Sequence, residues 1–227
     1  MGFLIIIAVL LGLVFGPGLW VQHVLKKYST PEDRYSGTGG ELARYLLDKH
    51  GLEHVKVEPT EAGDHYDPTE KVVRLTPDKH DGRSLTAITV AAHEVGHALQ
   101  DYEAYPPLKM RSALVRLVMP VQKVGAAVLI AAPFVVALFK VPQAGLLMIL
   151  AGFLTLGTSA VVHFVTLPTE FNASFARALP LLERYRILHE SDAPHARRLL
   201  KAAAMTYVSA SLMSLLNIAR WFAILRY

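Results

Sequence analysis

The sequence predicts a mainly α, membrane-embedded protein: a bundle of about four transmembrane helices with a small α+β part on the cytoplasmic side. Three observations lead there. Of the 227 residues, 52% are hydrophobic and only 19% charged, against about 25% charged in an ordinary soluble domain, and the mean hydropathy is +0.33. The apolar residues gather into four runs, each near the roughly 20 residues that a helix needs to cross a bilayer core of about 30 Å. The basic residues gather between those runs. This composition argues against disorder and against a plain cytosolic enzyme. There is no cysteine, which excludes a disulfide framework, thiolate metal sites and a cysteine nucleophile. A metal would have to be held by His, Asp or Glu.

The first run, Phe3 to Val24, has no charged residue and carries Trp20 near its end. It lacks a basic n-region and a small-x-small cleavage site, and Lys26 and Lys27 follow it, so residues 1–24 are expected to be an uncleaved anchor. Residues 25–116 mix helix and strand signals. Thr38 to His50 reads as a helix with Leu42, Leu46 and Leu47 on one face and Gly51 as its stop. Val55 to Glu58 and Lys71 to Leu75 read as short strands, with the segment from Gly63 to Pro68 as a turn between them. Ser84 is a plausible N-cap for a helix running to about Glu103, ended by Pro106 and Pro107.

Leu117 to Phe139 is apolar apart from Gln122 and Lys123, and Val141 to Leu167 is uncharged, with His163 near its end. Residues 117–167 therefore read as a transmembrane hairpin turning near Lys140. Residues 168–204 form a second polar, helical segment. In 205–227, Met205 to Leu225 contains Asn217 and Arg220; it is either a fourth span or a helix packed on the others or lying in the interface. Residues 25–116 hold thirteen Lys and Arg, residues 168–204 hold six, and the turn of the hairpin offers only Lys140. The positive-inside rule then puts both polar segments in the cytoplasm and the N-terminus outside. The net charge of +4 thus reads as a topology signal. No basic stripe with interleaved aromatics points to nucleic acid.

The helix after Ser84 contains His93-Glu94-Val95-Gly96-His97. Histidines at i and i+4 stand about 40° apart around a helix, one turn apart on one face, so both imidazoles can reach one Zn²⁺. Glu94, one step along, can reach a water on the metal, whose pKa zinc lowers toward about 7, take its proton and deliver it to a leaving amine. The bland alternative is a helix with two surface histidines and a solvated glutamate. The apolar flanks Ala91, Ala92, Val95, Ala98 and Leu99 weigh against it, because unpaired His and Glu are costly in a buried helix. Gly96 lowers helix propensity by about 1 kcal/mol relative to Ala, which suggests close packing there.

A catalytic zinc site usually has three protein ligands and an open position. No acid occurs in the 66 residues from Ala104 to Thr169, and the next is Glu170. Two membrane crossings return it to the side of the motif helix. Pro168 fits the first turn of a new helix, with Glu170 near its N-terminus. Rival ligands are His163, Glu183, His189, Glu190, Asp192 and His195. Ser174, one turn on, could hydrogen-bond Glu170 from outside the metal's own ligands. Arg177, Tyr207, His163 and His195 are all candidates to stabilise an oxyanion, and the sequence does not choose among them. The strand Lys71 to Leu75 could pair with an extended substrate backbone or simply pack.

The run from His93 to Gln100, the run from Pro107 to Leu114, the hairpin, and Leu167-Pro168-Thr169-Glu170-Phe171-Asn172-Ala173-Ser174 together resemble the YugP-like neutral zinc metallopeptidases, bacterial membrane proteins. Asp64-His65-Tyr66-Asp67-Pro68 and the helix after Ser36-Gly37 fit too, so the resemblance covers nearly the whole chain. The ordering is more distantly similar to the membrane peptidases of the HtpX and CaaX-prenyl-protease group. There a HExxH helix is followed by a transmembrane hairpin and a Glu-Phe-x-Ala-Asp segment whose Glu is the third zinc ligand. Carried over, that ligand falls on Glu170; Ser174 stands where that group has Asp. The resemblance implies a zincin-like cytoplasmic part, a multi-pass protein of the bacterial inner membrane, and zinc-dependent endopeptidase activity of gluzincin type on peptides or membrane proteins. The alternative is a non-catalytic zinc-binding scaffold or regulator that keeps the fold, against which the intact Glu94 argues. A transporter is disfavoured by the few central polar groups. The sequence leaves the oligomeric state open.

Overall fold

The structure, a computed structural model, describes residues 2–224, and the side chains of some helical residues, His163 and Tyr207 among them, lie outside what is described. The chain is mainly helical with one small sheet. In order it forms α1 (Gly2–Lys27), α2 (Gly39–Asp48), β1 (Lys56–Pro59), β2 (His65–Asp67), β3 (Val72–Leu75), a short α3 (Pro77–His80), α4 (Leu85–Tyr102), α5 (Pro106–Phe139) and α6 (Pro142–Phe171). A π-helical segment (Asn172–Ala178), α7 (Leu179–Arg184), a 3₁₀ turn (Glu190–Asp192) and α8 (Ala193–Ile224) complete it.

Two compact units are present: residues 18–108 with 167–206, and residues 1–17 with 109–166 and 207–227. In the first, α2 begins where its sequence says it should. Thr38 accepts from the Glu41 backbone N–H, and the Glu41 side chain accepts from the Thr38 N–H, a reciprocal cap. Leu42, Leu46 and Leu47 are buried along one face, as their spacing predicts. Ser84 caps α4 by accepting from the Ala87 N–H, and every residue of α4 from Leu85 to Gln100 is buried. A helix buried all round is a core element, which is why its polar residues must find partners inside the protein.

The sheet corrects two expectations. Its order is β1-β3-β2, with β1 parallel and β2 antiparallel to β3. The segment read as a turn contains β2, whose Tyr66 faces Val73 across the ladder. And β3 is the central strand, with both edges taken, so it has no free edge for an extended substrate.

A third correction concerns Pro168. No new helix starts there; α6 runs through it to Phe171 and continues into the π-helical segment. Proline removes one internal hydrogen bond, and the residue after it is tied to α4 by the bond from Gln100 Nε2 to the Thr169 carbonyl. Glu170 therefore sits near the end of α6, away from any helix N-terminus.

In the second unit, α5 and α6 pack closely: a Cβ on Gly125 would lie 1.6 Å from Thr155 Oγ1. Small residues at such crossings let helix backbones approach. Among the described residues, α5 is the helix long and apolar enough to cross a membrane, and Gln143–Gly152 of α6 is a shorter apolar stretch.

Candidate metal centre

Packing of α4 against the π-helical segment builds the site. A Cβ on Gly96 would stand 2.7 Å from the Ala173 carbonyl oxygen, so the close approach expected from Gly96 is present and admits no side chain. It brings Glu170 and Ser174 to the two histidines of α4. His93, His97 and Glu170 are all buried, and one ligand atom from each lies within 4.8 Å of the others. His93 Nε2 is 3.3 Å and His97 Nε2 is 3.2 Å from Glu170 Oε2. The two imidazoles meet edge to face, at 78°, with centroids 4.8 Å apart.

A metal fits this donor set on two counts. Atoms held about 2.0–2.2 Å from a tetrahedral zinc stand roughly 3.3–3.6 Å from one another, close to the spacings found. The hydrogen bonds also commit the Nδ1 sides. His97 Nδ1 lies 2.9 Å from Gln100 Oε1, and His93 Nδ1 lies 3.0 Å from Ser174 Oγ, whose hydroxyl donates to the Leu200 carbonyl at 3.1 Å. Each Nδ1–H thus has an acceptor, and each Nε2 presents its lone pair to a carboxylate oxygen. Acceptors meeting acceptors in a buried site call for a cation or a proton between them. Burial pushes the Glu170 carboxyl up, but a positive charge in that place, a proton on the imidazole side when no metal is there, outweighs it and holds Glu170 well below the usual carboxylate range. It is ionised at neutral pH, the form a metal requires.

Glu94 is buried on the same helix, beside His93. Ser174, expected beside Glu170, has its described hydrogen bonds to His93 and Leu200. Arg177, a candidate for the oxyanion, has other partners: Asn172 Oδ1, Glu103 at 2.5 Å and the Tyr105 ring at 5.0 Å. His195 pairs with the Tyr28 hydroxyl at 3.0 Å. The side chains of His163 and Tyr207 lie outside the described residues. Of the rival ligands, Glu183 pairs with Arg197, Asp192 is gripped by Arg34 and Tyr35, His189 stacks on Tyr35, and Glu190 is exposed. Sequence reasoning missed Gln100 and Asn172. Gln100 Nε2 donates to the Thr169 carbonyl at 2.8 Å and to Asn172 Oδ1 at 2.9 Å. A buried Gln three residues after His97 on one helix face was the available signal.

Comparison with known proteins agrees with this donor chemistry. The relative named "Putative membrane protease YugP" of Bacillus subtilis (strain 168) is 38% identical over 216 residues, which is 94% of this chain and 92% of that protein. No solved structure matches. Residues 3–226 match one family along almost the entire sequence, and the chain belongs to that family, described as "Putative neutral zinc metallopeptidase".

Proposed function

We propose that the protein is a membrane-integrated zinc endopeptidase of gluzincin type, with His93, His97 and Glu170 as ligands and Glu94 as the general base. The observation that carries this reading is the convergence of a buried His–His–Glu group from α4 and the end of α6, joined to a family of zinc peptidases. Zinc, when bound, supplies a Lewis acid for the scissile carbonyl and lowers the pKa of water. The residues of the chain do the rest. Glu94 takes the proton of the attacking water and delivers it to the amide nitrogen as the C–N bond breaks, leaving a free amine and a carboxylate. Burial of α4 keeps bulk water from the carboxylate that holds that proton.

The substrates of this reading are peptides or membrane proteins, and the bilayer is its surroundings. Charge distribution supports a multi-pass arrangement in which α1, α6 and α8 join α5 as spans, the N-terminus lies outside and the metal centre faces the cytoplasm. Digestion of a broad peptide library with the purified chain tests the activity. Cleavage should stop with chelator, return with zinc, and fall by at least about 10²-fold in Glu94→Gln while zinc content is kept. Cleavage by Glu94→Gln at the wild-type rate would remove Glu94 from the chemistry.

A further inference from the structure

Gln100 has no exposed surface, and its amide has a donor end and an acceptor end that are not interchangeable here. The Nε2 end donates to the Thr169 carbonyl and to Asn172 Oδ1. A backbone carbonyl can only accept, so a flipped amide would set oxygen against oxygen in a buried place, where an unpaired polar group is costly. The Oε1 end is therefore left for His97 Nδ1. Asn172 is oriented in turn, because Arg177 is purely a donor and bonds the same Asn172 Oδ1. Arg177 is anchored by Glu103 and the Tyr105 ring. A continuous chain of polar contacts runs from His97 through Gln100 and Asn172 to Arg177 and the half-exposed Glu103.

We infer that Gln100 is a positioning residue for the metal: it holds His97 in the tautomer and ring orientation that turn Nε2 to the metal, and Asn172 and Arg177 lock the Gln100 amide in the one orientation that can do so. The inference rests on the ligand set proposed above. It gives Arg177 a role at the far end of the chain of contacts, with its cation engaged by Asn172 and Glu103. It also explains why a glutamine serves where carboxylates often support a ligating histidine: an amide accepts from His97 and donates to the Thr169 carbonyl at the same time, and an ionised carboxylate only accepts.

The test is zinc affinity, measured by competition with a chromophoric chelator on the full-length chain in detergent. Replacing Gln100 by Met, Gln100→Met, keeps the length and removes both hydrogen-bonding ends; it should weaken zinc binding by about 10- to 100-fold. Asn172→Ala, at a half-buried position that spares the core, should weaken it less and in the same direction. In the double variant the Asn172 change should add nothing, since its effect passes through Gln100. A role in folding alone would lower the unfolding temperature in excess chelator and leave the zinc affinity of the folded chain unchanged. Wild-type affinity in Gln100→Met and Asn172→Ala, or additive losses in the double variant, would overturn the inference alone. A wild-type chain that binds no zinc would overturn the ligand set and this inference together.

Discussion

Gly96 shows how a single atom's absence arranges a site. Its missing Cβ lets the Ala173 carbonyl approach α4 to a distance that no side chain tolerates, and the neighbours of Ala173, Asn172 and Ser174, thereby reach Gln100 and His93. Two effects oppose each other in Gly96→Ala. Alanine gains about 1 kcal/mol of helix propensity, while forcing a methyl group into a packed contact costs about 1–3 kcal/mol, and the atom in the way is backbone, which cannot rotate aside. The clash should win. Thermal unfolding in the presence of chelator should show a lower midpoint for Gly96→Ala, with zinc affinity falling too; an equal or higher midpoint would mean that the two segments are not in contact. The pairing of His93 with His97 was legible from spacing, and Glu170 from the acid-free stretch before it, the two crossings that return it and the family resemblance together. The partner of Ser174 was not. One α-helical turn from Glu170 would leave Ser174 beside it, whereas the π-helical segment has a wider turn and carries the serine to His93.

Among the elements, those with a local cap and a clear burial period were the easier to read. The cap of α2, the Ser84 cap and the limits of α4 matched their sequence signals because local hydrogen bonding and burial periodicity agree there. β2 was hidden because its three residues lie between Gly63-Asp64 and Pro68, all turn formers, and it exists only through its pairing with β3. The continuous helix through Pro168 was hidden because the proline is a local stop signal, whereas the partner that holds the next residue, Gln100 of α4, is distant in sequence. Among the described residues α5 is the helix suited to crossing a membrane, and the proposed further spans can be mapped directly. The chain has no cysteine, so single introduced cysteines report their own side without background. Gln143→Cys, at the exposed start of α6, should react with an impermeant maleimide in intact cells, and Glu61→Cys only after permeabilisation. The reverse pattern would invert the topology.

For the molecule as a whole, the apolar composition and the metal chemistry are one arrangement. A long acid-free stretch made largely of α5 and α6 separates the two histidines from the carboxylate that joins them, so the third ligand depends on the helical pair folding back. The site therefore joins residues 18–108 with residues 167–206, and the segment from α2 to α4 alone lacks it. Elemental analysis of zinc in the purified full-length protein and in Glu170→Ala measures this. The wild-type chain should carry about one zinc and Glu170→Ala should lose most of it while remaining folded; a Glu170→Ala chain that keeps its full zinc, or a wild-type chain with none, would contradict the His93–His97–Glu170 centre.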